Sequence, residues 1–295
     1  MENDYLMRSL MFVPAHNEKL MNSATKKSAD VLLLDVEDSV QPQENKQVAR
    51  NNIIQFISSG KFGTRKIFPR INDRESGELL IDVQKLTIDG ITGFMYPKSQ
   101  CGEDVYFFGK LLETIEYEKG FPIGTFKIIP LIETAGAVMN IQEICNASKR
   151  VVAVAFGCED FITDMGGIHD SEGMSIFTAR AMIAMGAKAC GVVPIDTVHI
   201  KVHDLEDLEK NLILSKKLGF EGMLILNPKE LPLCHQYYSP SASEVEWAEE
   251  MIRLAEEAFA KGQGVAVKDN KFIGPPMVKM AKEILHKHSL TSNKL

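Results

Sequence analysis

The fold is decided by the stretches Phe126-Lys-Ile-Ile-Pro-Leu-Ile-Glu133 and Val151-Val-Ala-Val-Ala-Phe-Gly-Cys-Glu-Asp160. Each is a continuous apolar run that stops at a carboxylate. Runs of this length, bounded by polar residues or glycine, are typical of strands buried on both faces of a parallel sheet. A carboxylate at the end of such a strand can reach solvent while the rigid backbone aims it. Two of them on neighbouring strands could share one hard divalent cation.

Similar apolar runs alternate with stretches of helical spacing along most of the chain. The eight runs lie at Ser9–Val13, Val31–Val36, Lys66–Ile71, Ile91–Tyr96, Phe126–Ile132, Val151–Phe156, Ala189–Ile195 and Gly222–Leu226. This alternation predicts a parallel sheet of strand–helix–strand units, and eight units close a TIM barrel. An open doubly wound sheet is the alternative, but no Gly-x-Gly-x-x-Gly follows the first strand. We therefore predict an α/β fold, a TIM (β/α)8 barrel, over residues 1–238.

The pattern changes after the eighth strand. A long amphipathic helix is predicted at Ser241–Lys261, followed by a short segment at Val265–Phe272 and a last helix at Met277–His286. We predict a C-terminal helical extension over residues 239–295. Extensions of this kind often pack on a neighbouring subunit or cover the site.

Composition excludes several classes of partner. The formal net charge of −7, with no stripe rich in Lys and Arg, argues against nucleic acid. No apolar stretch approaches the roughly 20 residues that span a bilayer, and the acidic start of the chain lacks a signal-peptide pattern. The five cysteines are odd in number and include no Cys-x-x-Cys pair, which is typical of reduced thiols. We predict a cytoplasmic protein that binds neither nucleic acid nor membrane.

Polar residues follow the predicted strands at the edge where a TIM barrel carries its functional site. Acidic side chains converge there with an arginine and a lysine, which predicts a site for a metal and an anionic small molecule. Arg70 is the best candidate for gripping a carboxylate, because a guanidinium can donate to both oxygens at once. The strand-end residues are Asp35, Glu37, Asp38, Arg70, Asn72, Pro97, Lys98, Glu133, Asp160, Asp196 and Asn227.

Some of these side chains could instead have a structural role. A carboxylate at a strand end often caps the next helix, and for Asp38, Asp164 and Asp196 this interpretation weighs as much as a functional one. It is weaker for Glu133, because Thr134 already offers a cap for the helix that follows.

Two other residue types have simpler interpretations. His199 and His203 are four apart, but the sequence lacks the Glu of a His-Glu-x-x-His zinc helix, so we expect surface residues. Cys158 lies beside the carboxylates, and we interpret it as a small buried side chain.

Seven short motifs occur in a fixed order along the chain. They are Arg8-Ser-x-x-Phe-Val-Pro14, Asp35-x-Glu-Asp-Ser-Val40, Pro69-Arg-Ile-Asn72, Pro97-Lys98, Ile132-Glu-Thr134, Gly157-x-Glu-Asp-Phe-x-x-Asp-Met165 and Asn227-Pro228. In this order they resemble the citrate lyase beta-subunit family, within the HpcH/HpaI aldolase group. The resemblance covers residues 8 to about 285.

The resemblance implies a Mg²⁺-binding TIM barrel that cleaves or forms a carbon–carbon bond in a β-hydroxyacyl thioester. Citryl, malyl or citramalyl thioesters of coenzyme A or acyl-carrier protein are the expected substrates. It implies that Glu133 and Asp160 ligate the metal, and that the enzyme is a homo-oligomer, for which we expect a trimer. The predicted catalytic residues are Arg70, Glu37, Asp38 and Arg8, and the predicted substrate-binding residues are Arg70, Glu133, Pro97, Lys98 and Asn227.

Two departures from the family pattern leave alternatives open. Ala15-His16 stands after the first strand where family members commonly have glycine. Gly274 stands where many members carry an aspartate that serves a neighbouring subunit as acid or base, and Asp269 is the first candidate to replace it. The alternatives to a thioester lyase are a metal-dependent aldolase on a free hydroxy-keto acid and a non-catalytic member that retains metal and keto-acid binding.

Overall fold

Eight parallel strands form one sheet in the order β3-β2-β1-β8-β7-β6-β5-β4. The computed structural model describes residues 6–170, 172–260, 262, 264–268 and 271–292. The strands are β1 (Ser9–Pro14), β2 (Val31–Asp35), β3 (Lys66–Ile67), β4 (Gly93–Tyr96), β5 (Lys127–Ile132), β6 (Ala153–Phe156), β7 (Val193–Asp196) and β8 (Gly222–Ile225). All residues of β2, β4, β6, β7 and β8 are buried, as expected for strands covered on both faces.

Helices connect successive strands. They are α1 (Glu18–Ala24), α2 (Glu44–Ser58), α3 (Leu79–Leu86), α4 (Gly102–Lys119), α5 (Ala135–Met139), α6 (Ile141–Asn146), α7 (Cys158–Asp164), α8 (Met174–Ala189), α9 (Leu205–Leu218) and α10 (Leu231–Tyr238). None of the helices that the structure describes is long and apolar enough to cross a bilayer.

The backbone around Arg70 closes the sheet into a barrel. Although β3 is only two residues long, the chain continues beside β2, where Arg70 N donates to Leu34 O at 3.0 Å. On the other side, Met95 N in β4 donates to Pro69 O at 2.9 Å. Arg70 therefore bridges both neighbours in parallel register. The prediction of a TIM barrel with a C-terminal extension is confirmed, and the open doubly wound alternative is wrong.

The start of the seventh strand differs from the prediction. Ala189 belongs to α8, Cys190 caps that helix, and Gly191 turns the chain with φ 69°. The strand then begins at Val193. The apolar run is continuous from helix to strand, so hydrophobicity alone did not locate the boundary, whereas a glycine at positive φ did.

The chain divides into two compact units, of which the first contains Met7–Cys234 and the second contains Leu6 and the described residues from His235 onward. The second unit has two long helices, α11 (Ala242–Ala260) and α12 (Pro275–Ser292), and an antiparallel hairpin of β9 (Ala266–Lys268) and β10 (Lys271–Ile273). Its core contains Ala248, Met251, Ile273 and Ala281. The last helix is longer than predicted at both ends. Asp269 and Lys261 lie outside the described residues.

Candidate active site

A cavity of about 340 Å³ lies where several of the parallel strands end. Its lining combines charged and apolar side chains, so the cavity suits a small organic anion. The charged lining residues are Asp35, Asp38, Arg70, Glu133, Glu159 and Asp160, and the apolar ones include Phe12, Leu131, Phe156, Leu224 and Leu226.

Arg70 enters this cavity with its guanidinium already held. Nε donates to Asp35 Oδ1 at 2.8 Å and Nη2 donates to Asp35 Oδ2 at 2.7 Å. The remaining nitrogen, Nη1, lies 3.2 Å from Asp38 Oδ2 and 3.1 Å from Glu37 Oε2. The guanidinium also lies 4.8 Å from the centre of the Phe12 ring. Asp35 therefore fixes the edge formed by Nε and Nη2, whereas Nη1 faces Asp38, whose side chain is exposed.

Asp35 orients Arg70 by electrostatics as well as geometry. Burial alone would favour the neutral acid, but the charge and hydrogen bonds of Arg70, with further hydrogen bonds from Ser39, lower the pKa of Asp35. The same pairing raises the pKa of Arg70 against its own burial. A permanent ion pair thus fixes the guanidinium before any ligand binds.

Glu133 follows β5 and is almost completely buried. Its Oε2 accepts a hydrogen bond from the backbone N–H of Lys98 at 2.8 Å. Burial raises the pKa of Glu133 to about 8, and although the Lys98 N–H lowers it, the nearby negative charges of Glu37 and Asp160 raise it further. Such a carboxyl needs a compensating cation to remain ionised at neutral pH.

Lys98 has the one positive φ found among the non-glycine residues that the structure describes, at 50°. This conformation costs about 1–2 kcal/mol for a residue with a Cβ. It turns the backbone N–H toward Glu133, while Nζ donates to Asp73 at 2.7 Å and lies 3.5 Å from Glu37 Oε1. The strained residue therefore connects the carboxylates of three different loops.

The Glu37 carboxylate is buried between two cations. Among the residues that the structure describes, neither of its oxygens has a hydrogen-bond partner, although Arg70 and Lys98 approach within ion-pair distance. Burial raises the pKa of Glu37 to about 7. Glu37 does not line the cavity, whereas its neighbour Asp38 does and has a side chain 58% exposed.

Asp160 lies in the first turn of α7, which begins directly after β6. Its side chain is exposed and lines the same cavity as Glu133. The described residues contain no cluster of three or more His, Cys, Asp or Glu side chains that could hold a metal ion. Glu133 and Asp160 both line this cavity, and Mg²⁺ in proteins is commonly held by one or two carboxylates.

The structure does not bring Arg8 to this cavity. Arg8 precedes β1, so it lies at the opposite end of the barrel from the strand termini. There Nε and Nη2 donate to the two carboxylate oxygens of Asp30, both at 2.9 Å. Asn227 is near the cavity rim but holds the loop, since its Nδ2 donates to Val202 O at 2.7 Å. Pro97 leads into Lys98 and is not among the lining residues.

The structural interpretation holds for Asp196, the last residue of β7, and for Asp164, which ends α7 and not a strand. Asp196 is buried and forms a bidentate ion pair with Arg180, and Asp164 accepts a hydrogen bond from Ala135 N at the start of α5. The expectation that His199 is a surface residue was wrong, because only 4% of it is exposed. Cys158 is buried, as expected.

Sequence reasoning missed how closely Gly157 packs against Glu133. A Cβ added at Gly157 would lie 2.7 Å from Glu133 Cγ and 3.0 Å from Glu133 Oε1. The backbone after β6 thus fixes the position of the carboxylate that follows β5. The glycine between an apolar strand and an acidic helix start was the available signal.

The model of the HpcH/HpaI aldolase/citrate lyase family matches residues 8–228. The chain belongs to this family. Among its relatives, the citrate lyase subunit beta of Leuconostoc mesenteroides subsp. cremoris is 30% identical over 285 residues, which are 97% of this chain and 94% of the relative. The L-malyl-CoA/beta-methylmalyl-CoA lyase of Rhodobacter capsulatus is 29% identical and spans 95% of this chain and 94% of its own.

A solved structure has the same fold. The CitE protein of Mycobacterium tuberculosis, in complex with magnesium, acetoacetate and coenzyme A, superposes with a TM-score of 0.75 at 23% identity. The match covers 95% of this chain and 97% of that protein. The resemblance seen in the sequence motifs is therefore confirmed at the level of the family and of the barrel.

The packing of Gly157 against Glu133 gives a testable expectation. Gly157→Ala should lower Mg²⁺ affinity by about 10-fold, because the new methyl group must displace a buried carboxylate proposed to bind the metal. Gly136→Ala is a matched control, since a Cβ there meets nothing closer than 3.8 Å. Calorimetric titration with MgCl₂ measures both variants. Equal affinities for Gly157→Ala and wild type would indicate that Glu133 does not bind the metal.

Proposed function

We propose that this protein is a Mg²⁺-dependent carbon–carbon lyase that cleaves a β-hydroxyacyl thioester of coenzyme A or acyl-carrier protein. The observation that carries the proposal is that a fixed arginine, Arg70, faces the same cavity as the carboxylates Glu133 and Asp160. The names of its relatives, citrate lyase subunit beta and malyl-CoA lyase, support this class of reaction. Citryl, malyl and citramalyl thioesters are the candidate substrates.

The carboxylates fit a magnesium ion. Glu133 and Asp160 both line the cavity and offer hard oxygen ligands, and a bound cation would favour the ionised form of Glu133 against its burial. When bound, Mg²⁺ would supply Lewis acidity toward the substrate's hydroxyl and carboxylate oxygens. Contacts with Gly157 and the Lys98 N–H restrict the position of Glu133, which would favour its use as a ligand.

Arg70 binds the substrate carboxylate in this proposal. Asp35 occupies Nε and Nη2, so Nη1 is the nitrogen that can donate to a substrate carboxylate. Asp38 is the exposed partner of Nη1 at 3.2 Å, so a substrate carboxylate can replace it there. The fixed guanidinium loses little conformational entropy when the ligand binds, which favours affinity.

Asp38 is also the group of the Glu37–Asp38 pair that can exchange a proton with the substrate. It lines the cavity and is exposed, whereas Glu37 is buried behind it. In retro-Claisen cleavage the β-hydroxyl loses a proton, the carbon–carbon bond breaks and a thioester enolate forms. Displaced from Arg70, the Asp38 carboxylate could accept that proton. Glu37 would then act as a positioning residue for Arg70 and Lys98.

A metal-dependent aldolase on a free hydroxy-keto acid is the second candidate. The cavity volume of about 340 Å³ does not decide between the two, because a small acid group enters the cavity in either case. Turnover of citryl-, malyl- and citramalyl-CoA, followed through free thiol or keto-acid release, tests the thioester proposal. Cleavage of a free hydroxy-keto acid with no thioester turnover and no coenzyme A binding would support the aldolase instead.

Arg70→Lys should weaken binding of oxaloacetate or pyruvate by about 1.5–3 kcal/mol. Lysine keeps the charge but loses the planar fork that pairs with Asp35 and the ligand together. Arg8→Lys is the matched control, because Arg8 forms the same bidentate pair with Asp30 at the other end of the barrel. Fluorescence or calorimetric titration measures both. Unchanged affinity in Arg70→Lys would show that Arg70 does not bind the substrate carboxylate.

A further inference from the structure

Helices α6 and α8 approach each other unusually closely on the outside of the barrel. A Cβ added at Gly186 in α8 would lie 2.4 Å from Ile141 Cγ2 in α6, so the contact depends on glycine. One helical turn further along, Cys190 follows Gly186 and Cys145 follows Ile141. Residues four apart lie on the same helix face, so Cys145 and Cys190 lie on the facing sides of the two helices, one turn beyond the contact of Ile141 with Gly186.

The hydrogen bonds of Cys190 place its sulfur on the same face of α6 as Cys145. Cys190 Sγ accepts a hydrogen bond from Asn146 Nδ2 at 3.2 Å and lies 3.9 Å from Gln142 O. Asn146 follows Cys145 directly, and Gln142 lies three residues before it, on the same turn of α6. Burial raises the pKa of Cys145 to about 12, and the charge and side-chain hydrogen bond of Cys190 add to it. The two thiols are therefore neighbours.

The two thiols differ in access. Cys145 is 4% exposed, whereas Cys190 is partly exposed at the end of α8, and both are free thiols. They lie where the helices return to the start of β6 and β7, which is the end of the barrel away from Glu133 and Asp160. Neither thiol has a part in the proposed lyase chemistry.

We propose that Cys145 and Cys190 are a redox modification site, which a low-molecular-weight disulfide such as glutathione disulfide oxidises reversibly to an intramolecular disulfide. The accessible thiolate of Cys190 attacks one sulfur of glutathione disulfide, forms a mixed disulfide and releases one glutathione thiolate. Cys145 then loses its proton and attacks Cys190 Sγ, which expels the second glutathione. Two protein thiols are oxidised, and one glutathione disulfide is reduced to two glutathione thiols that take up the two protons.

The Cys145–Cys190 disulfide would link two neighbouring helices and close a loop that contains β6, α7 and α8. Closing such a loop restricts the unfolded chain and raises the midpoint of thermal unfolding. We expect an increase in Tm of about 5 °C or more, reversed by dithiothreitol. This expectation does not depend on the lyase proposal.

The test oxidises the full-length protein with glutathione disulfide, blocks remaining thiols by alkylation and maps peptides by mass spectrometry. Wild type should contain a Cys145–Cys190 cross-link. Cys145→Ser should instead hold a stable glutathione mixed disulfide on Cys190, and Cys190→Ser should leave Cys145 to be alkylated only after unfolding. Cys101→Ser is the matched control, because Cys101 is also partly exposed and its loss should leave the cross-link intact.

Two results would overturn the proposal. One is wild-type protein in which Cys190 keeps its glutathione while Cys145 remains a free thiol, since the second thiol would then be out of reach. The other is a Tm that rises equally in wild type and Cys190→Ser, because the stabilisation would then come from a different thiol. Cys190→Ser removes only a partly exposed group, so the comparison stands even if the buried substitution at Cys145 impairs folding.

Discussion

Asp160→Ala is expected to lower Mg²⁺ affinity by about 100-fold or more and to abolish measurable thioester cleavage. Loss of a residue that only supports a metal ligand lowers metal affinity by about 10–100-fold. Asp160→Ala removes one of the two proposed ligands themselves, so we expect a loss at the upper end of that range or beyond. Asp160 is exposed in the first turn of α7, so its loss leaves no buried group unpaired and the fold should persist. Titration calorimetry with MgCl₂ measures the affinity, and free thiol release measures cleavage.

Glu159→Ala provides the control for this experiment. Glu159 is the preceding residue, lines the same cavity and has a side chain 53% exposed, but it pairs with His169 at 3.4 Å. Removing it changes the net charge of the cavity by the same amount as Asp160→Ala. A Mg²⁺ affinity that falls equally in both variants would indicate a general electrostatic effect. Wild-type affinity in Asp160→Ala would contradict the metal assignment.

The barrel could be predicted from the sequence because strands buried on both faces have uninterrupted apolar sequences. A strand inside a parallel barrel contacts core on each side, so β5 and β6 appear as unbroken apolar runs. The boundaries were less predictable. Between α8 and β7 the apolar character continues without a break, and only the positive φ of Gly191 separates the two elements.

The candidate site could be predicted only as a set of strand ends. Position at the carboxyl end of a strand was enough to bring Arg70, Glu133 and Asp160 to one cavity. The pairings within it depend on contacts between distant parts of the chain. The bidentate bond from Arg70 to Asp35 and the bond from Lys98 to Asp73 join different loops, and no local pattern encodes which carboxylate each cation selects.

Arg8 shows the limit of transferring a role by motif. Its place in the first motif matched the family, yet it precedes β1 and pairs with Asp30 at the opposite end of the barrel. A residue before a parallel strand and a residue after it are separated by the full length of that strand. Strand direction is therefore a stronger guide to a barrel site than membership of a motif.

Gly274→Asp is expected to raise thioester turnover by about 10²–10⁴-fold, the usual worth of a placed acid or base. Gly274 stands where the family resemblance places an aspartate that acts in a neighbouring subunit, so the wild-type enzyme should be slow on malyl and citryl thioesters. Gly274 is buried and immediately precedes α12, and its carbonyl accepts from Met277 N at 3.0 Å. Aspartate is a favoured residue at such a helix start.

The experiment compares wild type, Gly274→Asp and Gly264→Asp by release of free thiol from each thioester. Gly264→Asp adds the same charge to the same segment, at a position where a Cβ meets nothing within 4 Å, and should leave turnover unchanged. The gain requires that the extension of one subunit reach the site of another, so light scattering should give a homo-oligomer, for which we expect a trimer. A monomer would exclude the shared site. Rapid turnover by wild type would show that another residue supplies the acid or base, with Asp269→Ala the first variant to measure.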